Sequence, residues 1–152
     1  LKIIKNGAVP EVYPDGYIFI HDGARPFVDE GILKRAYETV DQYRACVAGM
    51  PSKDTVKLAD ENGFARVTPA RRDVWTIQTP QVFESKLIID AYDALMKREN
   101  VQVTDDAMVV EQTGNVPVKL FEGSYENIKI TTPEDLEIAE VFLKRRFETL
   151  LD

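Results

Sequence analysis

The sequence predicts a single α/β domain, three layers deep, built on a mostly parallel twisted sheet with a projecting β-arm near its middle. Three observations carry that reading. Short apolar runs, of which Tyr17-Ile18-Phe19-Ile20 and Ala45 to Met50 are the first two, alternate with stretches of helical periodicity. Between Pro51 and Val74 this rhythm breaks into two short, polar strands around Asp60-Glu61-Asn62-Gly63, and Asn-Gly is a strong hairpin signal. The chain has 152 residues, 44% of them hydrophobic, which suits one core and gives no sign of two domains.

Pro14-Asp15-Gly16 signals a turn into the first strand, whose unbroken apolar character is that of a strand buried on both faces. A loop from Asp22 to Pro26 follows. Asp29 is placed to cap a helix reaching about residue 43, with Ile32, Leu33, Ala36 and Val40 at near-helical spacing. Strand, helix and strand at these lengths predict a crossover and parallel strands. Residues 55–59 and 64–68 then read as the arm, which occupies about residues 52–74. A lone two-stranded unit is marginal in water, so the arm is expected to pack on something else, such as a second subunit. Residues 75–79 return to the sheet. Ser85 begins a second helix reaching about residue 98, with Leu87, Ile88, Ala91, Leu95 and Tyr92 on one face. Thr104 reads as the N-cap of a third helix, with Asp105 and Asp106 in its first turn where the helix dipole favours acids. Residues 116–121 and 127–131 read as strands. Thr132-Pro133-Glu134-Asp135 opens the last helix with a cap, a proline at the first position and acids behind it.

Charge and composition narrow the function. Nineteen basic against 26 acidic residues leave a net charge of −7, which disfavours nonspecific binding to nucleic acid or an anionic membrane. An anionic substrate would need a local basic pocket. No apolar run approaches the roughly 20 residues of a membrane span, and the first residues lack a signal-peptide pattern. The expected compartment is therefore the cytoplasm, or a plastid if the source is a plant, no transit segment being visible. Cys46 is the sole cysteine, and its apolar neighbours make it a core thiol. His21 is the sole histidine, so a histidine cluster for zinc is excluded within the chain, and it reads as a packed strand-end residue. Ser85 and Ser124 lack the glycines of a nucleophile elbow, which leaves hydrolysis without support.

Polar groups gather instead at element boundaries, where side chains can converge on a small ligand. Asp22 and Arg25 lie just beyond the end of a strand, the place where open α/β sheets bind ligands, and a loop ion pair accounts for them equally well. Lys129 alternates with Ile128 and Ile130, and spacing alone makes it a solvent-facing strand lysine. Thr55 and Arg71, at the two ends of the arm, are ordinary surface residues on the same grounds. Thr79 and Thr104 stand at further boundaries.

Taken in order, His21-Asp22-Gly23-Ala24-Arg25-Pro26-Phe27, Pro51-Ser52-Lys53-Asp54-Thr55-Val56-Lys57, the run from Arg71 to Thr79-Pro80-Gln81, Thr104-Asp105-Asp106-Ala107 and Asn127-Ile128-Lys129-Ile130-Thr131-Thr132-Pro133-Glu134-Asp135-Leu136 resemble the 2-C-methyl-D-erythritol 4-phosphate cytidylyltransferase family of non-mevalonate isoprenoid synthesis. The resemblance covers about residues 17–147. It implies a Rossmann-like nucleotidyltransferase fold and transfer of the cytidylyl group of CTP to methylerythritol phosphate, with pyrophosphate released and Mg2+ present. Lys129, Arg71 and Asp22 match the family's catalytic positions. In the resemblance Lys129 positions the acceptor phosphate, Arg25 holds substrate oxygens, and Asp22 binds substrate hydroxyls or the magnesium ion. Thr55 and Arg71 lie on a dimer arm and reach the neighbouring subunit's substrate phosphate, while Thr79 and Thr104 add contacts to the acceptor. The family's glycine-rich loop for the CTP phosphates has no counterpart, since the eight glycines are scattered. The chain is thus expected to be the C-terminal two-thirds of the enzyme and inactive by itself. Two alternatives stay open: a cytidylyltransferase for another polyol phosphate such as ribitol 5-phosphate, and a noncatalytic dimerisation or binding fragment.

Overall fold

A computed structural model of the chain describes residues 15–97, 103–113 and 116–149. In chain order its elements are β1 (Tyr17–Ile20), α1 (Glu30–Tyr43), β2 (Ala45–Pro51), β3 (Leu58–Ala59), β4 (Ala65–Val67), a 3-10 turn (Arg71–Asp73), β5 (Trp75–Glu84), α2 (Ser85–Leu95), α3 (Asp106–Thr113), β6 (Lys119–Glu122) and α4 (Pro133–Thr149). The main sheet has the order β1-β5-β2-β6. β5 runs antiparallel to both β1 and β2, and β6 runs parallel to β2. Three strands therefore share one direction, as a mostly parallel sheet requires, but β5 opposes them from the middle and makes the sheet mixed. β1 pairs only with β5 among the described residues and leaves Phe19 40% exposed, so it is not the doubly buried strand its apolar run predicts.

Strand alternation distributes side chains between two layers of helix. On one face Cys46, Ala48, Val82 and Phe121 pack against Ile32, Ala36 and Val40 of α1. On the other, Ala45 and Phe83 meet Leu87, Ile88 and Ala91 of α2 and Ala107, Val109 and Val110 of α3. Cys46 is fully buried, and desolvation pushes its thiol up to about 12, in keeping with an inert core residue.

Capping follows the sequence in part. Asp29 caps α1 by accepting from the Ile32 amide at 2.8 Å. The α3 cap is Asp105 instead of Thr104: its carboxylate accepts from the Met108 amide at 2.9 Å, while the exposed Thr104 hydroxyl lies 3.6 Å from the Met108 sulfur. A carboxylate one residue further on serves the same orphan amide with a stronger, charge-assisted bond. α2 ends at Leu95, three residues before the predicted end, and residue 98 lies outside the described set. At α4 the Asp135 carboxylate reaches back to the Thr131 and Thr132 amides, both at 2.8 Å, as the third-position acid of a capping box does.

β3 and β4 form a separate two-stranded sheet. Their turn is built as predicted: Asp60 accepts from the Asn62 and Phe64 amides at 2.9 Å each, and Gly63 has a φ of 85°, a conformation few other residues adopt without cost. Leu58, Phe64 and Val67 of this hairpin are exposed.

β5 runs through Pro80 to Glu84, where the sequence predicts a stop at Thr79. The pairing with β2 shifts between Val47 and Gly49: Val47 faces Gln81 and Gly49 faces Ile77. Such a bulge lets a central strand hold a proline, which cannot donate to the ladder. It also turns Gln78 and Thr79 out of the regular pleat.

Candidate active site

Two loops meet at the bulge. The first, from His21 to Pro26, leaves β1; the second, from Gly123 to Ile130, leaves β6. Residues 127–130 form no ladder, contrary to the predicted strand, because their backbone is bonded elsewhere: the Ile130 amide donates to the Ala24 carbonyl at 2.8 Å, and the Ile128 amide to that of Glu126. The predicted alternation survives, with Ile128 and Ile130 half-buried and Lys129 exposed.

Lys129 Nζ and Arg25 Nε each lie 3.3 Å from the same oxygen of Asp22. Arg25 is the more enclosed cation, and its other arm donates to the Asn127 carbonyl at 2.7 Å. Burial raises the Asp22 pKa, but hydrogen bonds and charge from Lys129 and then Arg25 outweigh it and hold the carboxyl below its ordinary value of 3.8. A depressed folded-state pKa stabilises the native state at pH values above the unfolded one, and that contribution fades only as pH falls through the folded value. The cluster is therefore intact throughout the neutral range and weakens in acid.

Thr79 fixes the first loop. Its hydroxyl oxygen accepts from the Asp22 amide at 3.0 Å and lies 2.9 Å from His21 Nδ1. His21 Nε2 faces the Arg25 carbonyl at 3.0 Å and so carries the ring proton of the neutral form, which leaves Nδ1 to accept from the Thr79 hydroxyl. His21 is exposed, not packed as its strand-end position predicts, and serves by bonding both ring nitrogens.

Gln78 fixes the second loop. Its amide donates to the Ser124 carbonyl at 2.8 Å and accepts from Asn127 Nδ2 at 3.2 Å and the Ser124 amide at 3.4 Å. Gly123 leaves the room this needs, since a Cβ there would collide with Gln78 Oε1. That oxygen is held by two donors and cannot yield cheaply. Gly123→Ala is expected to cost about 1–3 kcal/mol, lowering the melting temperature by roughly 2–4 °C per kcal/mol. Calorimetry checks this; an unchanged transition would mean that Gln78 does not occupy the space.

The structure brings Asp22, Arg25, Thr79 and Lys129 together. It leaves Thr55 exposed, and the Arg71 guanidinium donates to the Lys53 carbonyl at 3.3 Å, so among the described residues neither joins the cluster within one chain. Thr104 is linked to the site only through Asp105, which accepts from Gln81 Nε2 at 3.3 Å; Gln81 Oε1 in turn accepts from the Ala107 amide at the start of α3. Gln78 and Asn127 are the participants that the sequence did not single out. Asn127 stands inside a quoted motif, but nothing local marks it as fully buried.

A divalent cation held by protein ligands alone does not fit this cluster. Asp22 is a single carboxylate already shared by two cations, and among the described residues no group of three or more potential ligands could hold a metal. Asp22 bridges Arg25 and Lys129, and as a single carboxylate it could hold a magnesium ion only together with substrate phosphates.

An α/β sheet that gathers cations around one carboxylate beyond its strand ends has the charge and placement that suit phosphorylated or otherwise anionic substrates. Residues 6–145 match the family described as IspD, 2-C-methyl-D-erythritol 4-phosphate cytidylyltransferase. The chain belongs to this family. It is 52% identical, over 94% of its length and 67% of the relative's, to a protein of that name from Lachnospira eligens. To the one from Caldanaerobacter subterraneus it is 51% identical over 84% of its length and 56% of the relative's. Among solved structures, the 4-diphosphocytidyl-2C-methyl-D-erythritol synthase of Anaerococcus prevotii superposes with a TM-score of 0.79 at 38% identity, covering 84% of this chain and 56% of that one. The Francisella tularensis cytidylyltransferase gives 0.75 at 33% identity, covering 88% and 62%. The chain thus spans between about half and two-thirds of the length of these relatives.

Proposed function

We propose that the chain carries the acceptor-side machinery of an enzyme that transfers the cytidylyl group of CTP to 2-C-methyl-D-erythritol 4-phosphate. The observation that carries this reading is the Lys129–Asp22–Arg25 cluster, a local concentration of positive charge on a chain whose net charge is −7, in a member of the IspD family. An oxygen of the acceptor phosphate attacks the α-phosphorus of CTP. The bond from that phosphorus to the bridging oxygen of the β-phosphate breaks, and pyrophosphate leaves with the electron pair. No enzyme nucleophile is needed; the protein's work is to align two anions and offset their repulsion. Lys129 and Arg25 do this at the acceptor, and Asp22 holds both cations in register. A magnesium ion bound with the triphosphate would find in Asp22 the one carboxylate of the cluster and would offset charge on the departing pyrophosphate. Thr55 and Arg71 act in trans: the hairpin, with its exposed Leu58, Phe64 and Val67, packs on a second copy of the chain and delivers them to that copy's site. Thr79 and Thr104 line the acceptor side. The described residues include no helix long and apolar enough to cross a membrane, and the cytoplasm is the proposed location.

The test is pyrophosphate release by the full-length protein with CTP and either methylerythritol phosphate or ribitol 5-phosphate. We expect kcat/KM to favour methylerythritol phosphate by at least about tenfold, since a site matched to one set of hydroxyls leaves polar groups unpaired with another. Preference for ribitol 5-phosphate would reassign the acceptor. Acceptor binding without turnover would leave a binding module.

A further inference from the structure

The bulge in β5 anchors both loops of the site, and the anchor of the second loop is a pair of buried side-chain amides. Asn127 is wholly buried. Its Nδ2 donates to the Thr79 carbonyl at 2.8 Å and to Gln78 Oε1 at 3.2 Å. Thr79 thereby holds the two loops at once, the first by its hydroxyl and the second by its carbonyl. The Asn127 carbonyl accepts from Arg25, and two residues later Lys129 meets Asp22. From the other side, the Arg35 guanidinium of α1 donates to the carbonyls of Glu122 and Gly123 at 2.7 and 3.0 Å, so the loop enters the clamp from a fixed point.

We infer that Gln78 and Asn127 form an amide clamp that positions Lys129 and Arg25 around Asp22. Neither clamp residue is assigned contact with substrate. The bonding patterns fix the amide orientations: Asn127 must present its nitrogen to the Thr79 carbonyl, and Gln78 must present its oxygen to the Ser124 amide. The direction of the clamp is set by β5, which β2 holds on either side of the bulge, at Ile77 and Gln81, and which β1 also holds from Gln81 on; a positioning device requires such fixed points. The kinetic part of this inference rests on the proposed transfer to methylerythritol phosphate, whereas the structural part does not.

Two measurements keep those parts separate. In the first, lysines are dimethylated with 13C, which retains their charge, and the Lys129 resonance is assigned by substitution. Asp22→Asn is expected to displace that resonance, and Asn127→Ala and Gln78→Leu to displace it in the same direction, since each uncouples Lys129 from its carboxylate partner. A Lys129 resonance unmoved by either clamp variant overturns the inference, whatever the reaction. In the second, Asn127→Ala should lower kcat/KM for methylerythritol phosphate by about tenfold or more and leave the KM for CTP within about twofold, because small misplacements of aligning groups are costly. Introduced into Lys129→Ala, the same substitution should cost no more than about threefold, since groups that act through one another are not additive. Equal losses in both backgrounds would reduce Asn127 to a stabilising residue and overturn the positioning role. A displaced resonance with unchanged acceptor kinetics would support the clamp and count against the proposed reaction. Should Asn127→Ala fail to fold, Asn127→Ser retains one donor and is expected to give a smaller displacement; none would overturn the inference.

Discussion

Lys129→Ala is expected to lower kcat/KM for methylerythritol phosphate by on the order of 10²-fold while leaving the KM for CTP within about twofold, the size of effect that removal of one preorganised charge-stabilising group has on a reacting centre. The proposed reaction puts Lys129 on the acceptor side, where it stands on the loop that leaves β6 and shares the Asp22 carboxylate with Arg25. It is about half exposed, so its ammonium can exchange part of its contact with Asp22 for an incoming phosphate without crossing the core. Removing it leaves Asp22 paired with Arg25 alone, and the acceptor phosphate then approaches a less compensated carboxylate. The loss is thus one of attraction together with added repulsion, which concerns the acceptor far more than the nucleotide. Steady-state kinetics with each substrate varied in turn decides the matter. A collapse of CTP binding with unchanged acceptor kinetics would place Lys129 on the nucleotide side, and equal losses accompanied by a lowered melting temperature would make it structural.

Two inactive variants are expected to restore one another when mixed. In Asp22→Asn the cluster is defective and the hairpin sound; in Arg71→Ala the reverse holds. Among the described residues the Arg71 guanidinium donates to the Lys53 carbonyl and does not join the Asp22 cluster, which is the arrangement a residue acting in trans requires. If each site combines the cluster of one subunit with the hairpin of the other, a mixed dimer has one site with both defects and one with neither. Equal mixing with random exchange makes about half the dimers mixed and about a quarter of all sites intact, a consequence of twofold symmetry. Activity should then rise from near zero to about a quarter of that of the unaltered protein. Native mass spectrometry would verify that mixed dimers form. Their presence without recovered activity would place Arg71 and Asp22 in the same subunit's site.

Local chemistry was legible wherever a residue's neighbours in sequence are also its partners. Asp29 caps α1, Asn62-Gly63 turns the hairpin, and Asp135 closes the start of α4, each through bonds that span four residues or fewer. The apolar face of α1 and the runs of β2 and β5 carry the three-layer arrangement in the same local way. Asp22 and Arg25 could be named as candidates from their place beyond a strand end, whereas Lys129, by spacing a plain strand lysine, was marked by the family resemblance, which also supplied all three roles.

Other readings failed where a distant partner decided. Residues 127–130 have the alternation of a strand, but the Ser124, Glu126 and Ala24 carbonyls accept the amides of Asn127, Ile128 and Ile130, and Arg25 takes the Asn127 carbonyl, so those groups are not free for a ladder. Thr104 has the right residue type for a cap, but Asp105 accepts the amide and is itself steadied by Gln81 from β5. By itself, then, the sequence determined the α/β class, the hairpin and the identities of the charged candidates, because periodicity and turn chemistry are properties of contiguous residues. Only the tertiary structure decided that β5 runs on through Pro80, that its bulge presents Gln78 and Thr79 to two loops, and that Asn127 joins Lys129 and Arg25 to one carboxylate. Those contacts link residues 48 to 107 positions apart, and side-chain amides buried at such separations leave no periodic trace for a sequence to display.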